Sequence, residues 1–412
     1  MGVISYKTMR ILFIAPYIPS LVRVRPFNFI RTMYARGHEV TLLALVPPSD
    51  SDSSLDELKD WCQAVHTVPH SRNQVLMNGA RGLLSSLPLQ AYYSYSPAFV
   101  DKLQQVLTES SFDVAHVEHL RGAILADSLK SLPIVFDSVD SISLLFGKLL
   151  EDAPNLKSRF MAKLDLERTR HFEGTLTSRY SQVAVTSEAD RQALIKLGSR
   201  ADCIQVVSNG VDLDYFKPQS VPREPLRLVF TGKMSYHANV AAVEDLVHKI
   251  MPLVWQAQPQ AELYIVGKDP TEAVKAFAQT PKVVVTGSVP DMRPYLASAA
   301  VALSTVRYGV GVQNKVLEAM AMATPVVCSP QANSALQTRV GEDILVGNSP
   351  EAISSHILDL LGSPEKRNRI GAAGRKYVET YQTWDRSVSI LENMYAESIN
   401  AWHGEAARKV KV

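Results

Sequence analysis

Short apolar runs rich in β-branched residues alternate with stretches of helical spacing along most of the chain. Residues 10–15 form the first apolar run, residues 27–36 have helical spacing, and residues 40–46 form the next run. This alternation is typical of a parallel sheet with helices on both faces, so we predict an α/β fold. Further strands are predicted at residues 113–117, 133–137, 183–186 and 204–207, and then at 226–230, 262–266, 282–285, 301–304 and 325–328.

The alternation is interrupted at residues 212–225, which are rich in Asp and Pro and have no hydrophobic period. Such a segment is typical of an interdomain linker. We predict two doubly wound domains, at residues 9–215 and 216–386, that face a cleft and bind ligands at the carboxyl ends of their strands. Residues 387–412 are expected to form a helix that packs toward the first domain. Its apolar face would carry Val388, Leu391, Met394, Tyr395 and Ile399.

Composition narrows the class of protein further. The 412 residues are 46% hydrophobic and 20% charged, with a net charge of +2, which does not favour a nucleic-acid binder. The three cysteines match no metal-ligand spacing. No apolar run approaches the length of a membrane span, and the first residues lack the order of a signal peptide. We therefore expect a cytoplasmic protein.

The segment 308–323 carries the strongest chemical signal. It follows a predicted strand and opens a predicted helix near residues 311–313, whose free amides and dipole suit a diphosphate. Lys315 places a cation in the first helical turn, where the dipole disfavours it, so a nearby anion would explain that residue. Glu318 lies at a suitable reach for ribose hydroxyls. The alternative is a surface ion pair on an ordinary helix. The candidate donor-binding residues here are Gly309, Gly311, Val312, Gln313, Lys315 and Glu318.

This segment and four others resemble the retaining glycosyltransferases of family 4, which have the GT-B fold, and in particular a bacterial subgroup associated with exopolysaccharide and protein sorting. The resemblance covers nearly the whole chain, because the motifs follow one another in the family's order. It implies that Gly232, Lys233 and Gly267 also bind a nucleotide-sugar donor. The other matching segments are residues 187–190 with 207–212 and Phe216, residues 229–233, residues 265–267 and residues 285–289.

The chain departs from the family pattern at three places. Val310 stands where the family has the first of two Glu residues, and Val139 stands where many relatives have an acceptor-site His. The usual glycine-rich first loop contains Arg23 and Arg25 instead. These arginines would bind phosphate or an anionic acceptor by their side chains. The alternative is a solvated basic loop.

Polar residues after three predicted strands are candidates for the acceptor side. We predict catalytic roles for His116, Asp137 and Asp140, and an acceptor-loop role for Glu118 beside Arg23 and Arg25. A structural role for His116 is the alternative, and His119 is a weaker candidate. In the second half, Asn239 is interpreted as the N-cap of the following helix.

No metal is expected. Two Asp-x-Asp patterns occur, at residues 50–52 in a polar loop and 212–214 in the linker, and neither follows a strand at the predicted cleft. Helix amides, Lys233 and Lys315 would offset the diphosphate charge instead. No cofactor is expected beyond the nucleotide sugar as co-substrate.

The resulting hypothesis is a metal-independent hexosyltransferase of bacterial polysaccharide or glycoconjugate synthesis. The acceptor would be a glycan, a lipid-linked molecule or a small molecule bound to the first half, and domain closure would exclude water. Residues 76–95 and 148–170 would touch an anionic membrane surface, at the inner face of the membrane, or else serve as a core helix and a solvated face.

Three alternatives remain open from the sequence. A nucleotide-sugar epimerase has the same architecture but would use several cleft carboxylates and histidines. A non-catalytic sugar-nucleotide-binding module is favoured by the valines at positions 310 and 139. A dinucleotide oxidoreductase is disfavoured, because neither half opens with Gly-x-Gly-x-x-Gly after its first strand.

Overall fold

The computed structural model describes residues 8–47, 55–152, 156–308 and 311–409. The chain divides into two compact units. Unit 1 is Met1–Ser208 with Trp384–Val412, and unit 2 is Asn209–Thr383. These boundaries differ from the predicted ones, since the first break falls after Ser208 rather than after residue 215, and the return to unit 1 begins at Trp384 rather than at residue 387.

Both units are built on a parallel sheet. Unit 1 contains β1 Arg10–Ala15, β2 Glu39–Val46, β3 Ala64–Pro69, β4 Val114–Glu118, β5 Ile134–Val139, β6 Gln182–Val185 and β7 Ile204–Val206. Unit 2 contains β8 Glu224–Thr231, β9 Glu262–Val266, β10 Val283–Gly287, β11 Ala299–Ser304, β12 Val326–Cys328 and β13 Leu345–Val346.

Helices connect the strands in both units. Those of unit 1 are α1 Val24–Ala35, α2 Leu55–Trp61, α3 Arg72–Gly82, α4 Leu89–Tyr93, α5 Pro97–Glu109, α6 His119–Ala123, α7 Ile142–Asp152, α8 Leu156–Gly174, α9 Leu176–Arg179, α10 Glu188–Lys196 and α19 Trp384–Lys409. Those of unit 2 are α11 His237–Asp245, α12 Met251–Ala257, α13 Glu272–Ala276, α14 Arg293–Ser298, α15 Asn314–Ala321, α16 Pro330–Asn333, α17 Pro350–Gly362 and α18 Pro364–Tyr381, and a π-helical turn Leu246–Ile250 joins α11 to α12.

The strand order is β3-β2-β1-β4-β5-β6-β7 in one sheet and β10-β9-β8-β11-β12-β13 in the other. Every described strand pair is parallel, so the prediction of two doubly wound, Rossmann-like domains is confirmed. In each sheet the order reverses beside the first strand of the unit. These reversals lie between β1 and β4 and between β8 and β11, and open parallel sheets bind ligands at such switch points.

The last helix belongs to the core of unit 1. Val388, Leu391, Met394 and Tyr395 of α19 are buried in the same apolar cluster as β1, β2 and α1. A buried carboxylate, Glu392, is held by the guanidinium of Arg36 at 2.7 Å and by the ring of His38 at 2.8 Å. These contacts explain why the chain returns to unit 1 after the second sheet.

The described helices include none that is both long enough and apolar enough to span a membrane.

Candidate functional site

Two glycines shape the switch point of unit 2. Gly232 follows β8 and Gly267 follows β9, with φ of 150° and 153°. A Cβ added to Gly267 would lie 1.7 Å from the carbonyl oxygen of Gly232, and a Cβ added to Gly232 would lie 2.7 Å from Nδ2 of Asn239. A side chain at position 267 would therefore collide with the backbone of Gly232, and one at position 232 would collide with the side chain of Asn239. The amides of Gly232 and Gly267 donate to the carbonyls of Val266 and Gly287, at 3.0 and 3.2 Å, so this close approach is held by hydrogen bonds between the strand ends.

Asn239 joins three parts of this edge. Its Nδ2 donates to the carbonyl of Lys233 at 2.9 Å, and its Oδ1 accepts from Nζ of Lys315. The interpretation of Asn239 as an N-cap is wrong. The cap position of α11 is Tyr236, and Asn239 lies inside the helix with its side chain turned toward the glycine turn. A polar residue early in α11 instead positions a cation brought by α15.

Lys315 and Glu318 lie on the first turns of α15. Nζ of Lys315 lies 4.4 Å from the ring centroid of Phe230. Burial lowers the pKa of Lys315 to about 7, an effect that Glu318 partly offsets. Burial raises the pKa of Glu318 to about 7, partly offset by Lys315. Both groups are therefore poised to change charge near neutral pH when a ligand replaces water.

The amino end of α15 is suited to an anion. Its N-cap residue, Gln313, makes no side-chain cap bond, and the first turn contains no acidic residue. Gly311, Val312 and Gln313 are half-buried beside it. The helix begins at Asn314, slightly later than predicted. Gly309 and Val310 lie outside the described residues, so the predicted donor-binding role of Gly309 stays a prediction.

Lys233 lies at the rim of this edge. Its side chain is 52% exposed, and its Nζ is 3.5 Å from a carboxylate oxygen of Asp269. An exposed ion pair of this kind is weak, so the ammonium is available to a phosphate.

The predicted acceptor residues of unit 1 do not form one group. Arg25 donates to both carboxylate oxygens of Asp137, at 2.7 and 3.1 Å, and to the carbonyl of Val207 at 2.8 Å. The side chains of Arg25 and Asp137 are 4% and 0% exposed. The prediction that Arg25 binds phosphate or an anionic acceptor is wrong for this conformation, because the guanidinium is committed to a buried carboxylate and a carbonyl.

His116 belongs to the same buried cluster. Its ring stacks on Phe13 at 4.3 Å between centroids, and its Nδ1 is 2.8 Å from the hydroxyl of Tyr395 in α19. Burial lowers the pKa of His116 to about 4, although Asp137 raises it. A neutral, fully buried imidazole held by α19 has the environment of a structural residue, which opposes the catalytic roles predicted for His116 and Asp137.

The carboxyl ends of β1 and β4 carry a different, buried pair. The hydroxyl of Tyr17 donates to Oε1 of Glu118 at 2.8 Å, and Arg23 lies over the Tyr17 ring at 4.4 Å. Burial, reinforced by Asp137, raises the pKa of Glu118 to about 8. Within the part of the chain that the structure describes, Oε2 of Glu118 is buried without a hydrogen-bond partner. Glu118 is therefore a protonated carboxyl at neutral pH, located at the switch point of the first sheet.

Two residues beside this pair have strained backbones. His119 has φ of 65° and Val139 has φ of 64°, at the ends of the adjacent strands β4 and β5. A β-branched residue in the left-handed region is unfavourable, and such strain concentrates at functional sites. Nδ1 of His119 accepts from the amide of Arg121 at 3.2 Å, and burial together with Arg121 lowers its pKa to about 3. Its Nε2 therefore carries the proton. The sequence favoured His116 over His119 as a functional residue, and that order stays a prediction.

Asp140 and Asp190 both lie close to the hydroxyl of Thr186, a residue for which the sequence predicted no role in the site. Thr186 donates to Oδ1 of Asp140 at 2.8 Å and lies 3.4 Å from a carboxylate oxygen of Asp190. Burial and the neighbouring Asp190 raise the pKa of Asp140 to about 7. The segment 187–190 was identified as a family landmark, yet its link to Asp140 depends on strand pairing between β5 and β6.

Among the described residues, no group of three or more His, Cys, Asp and Glu side chains is placed to hold a metal ion. The Asp50-x-Asp52 pattern lies outside those residues. Oδ1 of Asp212 accepts from the amides of Asp214 and Tyr215, so the second pattern closes a turn. Metal independence remains a prediction.

Family models match both halves of the chain. Residues 22–215 match the model described as Glycosyltransferase Family 4, and residues 225–363 match the model described as Glycosyl transferases group 1. Together these two matches span most of the chain.

One curated relative is a GDP-mannose-dependent monoacylated alpha-(1-6)-phosphatidylinositol monomannoside mannosyltransferase of Corynebacterium glutamicum. It is 26% identical over 248 residues, which are 50% of this chain and 64% of the relative. The aligned region thus spans less than two thirds of the relative's length.

Two solved structures share the fold. Sucrose-phosphate synthase from Thermosynechococcus elongatus has a TM-score of 0.71 at 16% identity, covering 95% of this chain and 100% of that one. Anabaena HepE in complex with UDP-glucose has a TM-score of 0.65 at 15% identity, again covering 95% and 100%. At these identities the likeness shows the GT-B fold alone.

Proposed function

We propose that this chain, which its two family matches assign to the family 4, group 1 glycosyltransferases, transfers a hexose-type sugar from a nucleoside-diphosphate donor to an acceptor hydroxyl. One observation carries the proposal. At the switch point of unit 2, a half-buried lysine with its pKa lowered to about 7 stands beside a close glycine contact and the uncapped end of α15. A cation kept partly neutral by burial is costly to the free protein, and a diphosphate would stabilise its charged form.

In this proposal each donor group has a partner in unit 2. The diphosphate lies against the α15 amino end, Lys315 and Lys233, and the ribose lies against Glu318. The bond between the anomeric carbon and the β-phosphate oxygen breaks, and negative charge grows on the leaving diphosphate. Interactions that strengthen as this charge grows lower the barrier more than they tighten ground-state binding.

The acceptor side is assigned to the carboxyl end of the unit 1 sheet. Arg23 and Nε2–H of His119 offer donors to a polyol or phosphate-bearing acceptor, beside the buried Glu118 carboxyl. The Corynebacterium relative, whose name gives GDP-mannose as its donor, acts on a phosphatidylinositol monomannoside, which supports an acceptor of this chemistry. HepE, solved with UDP-glucose, supports a nucleotide-sugar donor.

The finer points of the proposal rest on the family resemblance. We infer a retaining, metal-independent transfer in which the acceptor proton passes to the leaving diphosphate on the same face of the sugar. We also infer a cytoplasmic enzyme of bacterial polysaccharide or glycoconjugate synthesis. The acceptor would be a glycan, a lipid-linked molecule or a small polyol.

A nucleoside-diphosphate release screen tests this proposal. Wild type, Glu318→Gln and the control Glu272→Gln, a residue exposed on α13, are incubated with UDP-, GDP- and TDP-sugars with and without polyol and lipid-linked acceptors. Release from one donor, stimulated by acceptor and reduced in Glu318→Gln alone, is the expected result. Conversion of the donor to an epimer without release, or nucleotide binding with no release for any donor and acceptor pair, would contradict it.

A further inference from the structure

Large apolar side chains are exposed on two helices of unit 1. On and just after α3, Leu76 is 74% exposed and Leu84 is 94% exposed. On α8, Phe160 is 66% exposed. Hydrocarbon side chains this open to water are costly to a protein that keeps them uncovered. We name as the α3–α8 surface the six exposed side chains Leu76, Met77, Leu83, Leu84, Phe160 and Leu164.

Hydrogen bonds between the two helices make this one surface. The guanidinium of Arg168 in α8 donates to the carbonyls of Gly82 and Leu83, at 3.0 and 2.7 Å. Phe160 and Leu164 precede Arg168 by two turns and one turn on the same side of α8. Asp165, on the other side, accepts the amide of Leu89 at 2.9 Å. The exposed end of α3 therefore lies alongside the apolar stripe of α8.

Most of the exposed charges around this surface are positive in the part of the chain that the structure describes. Residues 61–100 contain Arg72 and Arg81 and no Asp or Glu. Both arginines are exposed, as is Lys163 between Phe160 and Leu164. Asp165 and Glu173 of α8 are buried and engaged with unit 1, and the exposed Glu167 pairs with Arg170. Apolar side chains rimmed by cations suit an interface with acidic headgroups above hydrocarbon.

We propose that the α3–α8 surface docks on an anionic lipid bilayer. Leucine and phenylalanine side chains enter the headgroup boundary, and Arg72, Arg81 and Lys163 contact lipid phosphates. This deepens the proposed function by naming the surface through which the enzyme would meet a lipid-linked acceptor. A second copy of the chain is a less favourable occupant, because two surfaces rimmed by cations repel each other.

Vesicle flotation tests the proposal without any need for turnover. The full chain is mixed with vesicles of phosphatidylcholine alone and of phosphatidylcholine with phosphatidylglycerol. We expect binding to the anionic vesicles that falls with salt. Leu76→Ser with Leu84→Ser should weaken binding about tenfold or more. Arg81→Glu changes the local charge by two and should weaken it roughly thirtyfold, from roughly 1 kcal/mol per unit of surface charge.

Matched controls separate docking from folding and from the donor site. Val340→Ser and Lys275→Glu change an exposed valine and an exposed lysine of unit 2 and should leave vesicle binding unchanged. Because the replaced side chains are exposed, the thermal midpoint of the double leucine variant should match wild type. No binding to anionic vesicles, equal binding to both vesicle types, or a dimer in solution abolished by the leucine changes would overturn the proposal. Failure of nucleotide release would leave the vesicle result standing, so the two claims fail separately.

Discussion

The two sheets have the same strand order around their switch points, but the groups at those points differ in chemistry. In unit 2, Gly232 and Gly267 pack closely against each other, and Lys315 supplies a cation. In unit 1, a protonated carboxyl, Glu118, and the strained residues His119 and Val139 occupy the equivalent edge. In the proposed function, one topology thus provides an anion site in one unit and a neutral hydrogen-bonding site in the other.

The buried Arg25 of unit 1 and Lys315 of unit 2 also differ in their partners. Arg25 forms an ion pair with Asp137 inside the core, whereas Lys315 contacts the amide oxygen of Asn239 and the aromatic face of Phe230. A buried carboxylate satisfies a cation fully, and an amide does not. Whether a basic residue serves packing or ligand binding therefore depends on its partner rather than on its proximity to a strand end.

The largest expected effect is from Gly267→Ala. Its Cβ would meet the Gly232 carbonyl, so the two strand ends must separate. We expect a loss of about 3 kcal/mol in the free energy of unfolding, measured with urea, and loss of nucleotide binding. The control is Gly287→Ala, where φ is 67° but nothing lies within 4 Å of the added Cβ. Its cost should be about 1 kcal/mol, from backbone strain alone. An equal loss in the free energy of unfolding for both variants would show that the contact between Gly232 and Gly267 does not stabilise the unit.

Lys315→Met should weaken nucleoside-diphosphate binding by about 2 kcal/mol, roughly thirtyfold, because a hydrogen bond to a charged group is lost. Stability should stay level or rise, since a half-buried cation is removed. Isothermal titration measures the first effect and urea unfolding the second. Lys275→Met, an exposed lysine paired with Glu272, should change neither. An unchanged affinity in Lys315→Met would show that the diphosphate does not lie at α15.

The protonated Glu118 predicts a pH dependence of stability. Its pKa rises from 4.5 to about 8 on folding, so the folded state holds the proton more tightly. Its contribution is fully present below about pH 4.5 and is lost as the pH rises through about 8. Glu118→Gln keeps the neutral form, so its advantage over wild type should grow between pH 5 and pH 8.5, by on the order of 1 kcal/mol or more.

Urea midpoints of wild type and Glu118→Gln at pH 5 and pH 8.5 give that difference. Glu57→Gln, an exposed residue of α2, should show no such trend. A difference between Glu118→Gln and wild type that is the same at both pH values would mean that Glu118 is ionised in the folded protein.

The smallest expected effect concerns the strained turn after β5. Val139→Gly should stabilise unit 1 by up to about 1 kcal/mol, because glycine adopts a φ of 64° without steric cost, offset by lost side-chain packing. Val206→Gly, at a half-buried position in β7, should destabilise instead. Thermal midpoints measure both. A loss of stability in Val139→Gly as large as in Val206→Gly would show that the turn stores no strain.

The sequence predicted the features that depend on neighbouring residues, namely most strands and the spacing of residues along one helix. The strands named in advance agree with the structure to within about two residues, and Lys315 and Glu318 lie on one short helix as their spacing indicated. Strands β3 and β13 were missed, since β3 is mostly half-buried and β13 has two residues. Neither presents a continuous apolar run.

Roles that depend on distant partners could not be predicted. Arg25 meets a carbonyl 182 residues away, and His116 meets a hydroxyl 279 residues away. Both partners come from segments whose packing on β1 and β4 follows from the whole topology. Without them, a buried ion pair and an exposed anion site look alike in a single sequence. The His119 backbone conformation likewise has no signature in its own residue type.

Lys315 must gain its charge when a nucleoside diphosphate binds if the proposed donor site is correct. Titration calorimetry of UDP and GDP at pH 8, in two buffers of different ionisation enthalpy, measures the protons taken up. Because burial lowers the pKa of Lys315 to about 7, this side chain is mostly neutral at pH 8 in the free protein. In the complex the Lys315 side chain should be charged. Wild type should take up close to one proton per nucleotide, and Lys315→Met should take up almost none. Binding without proton uptake in wild type, or the same uptake in both proteins, would contradict the account.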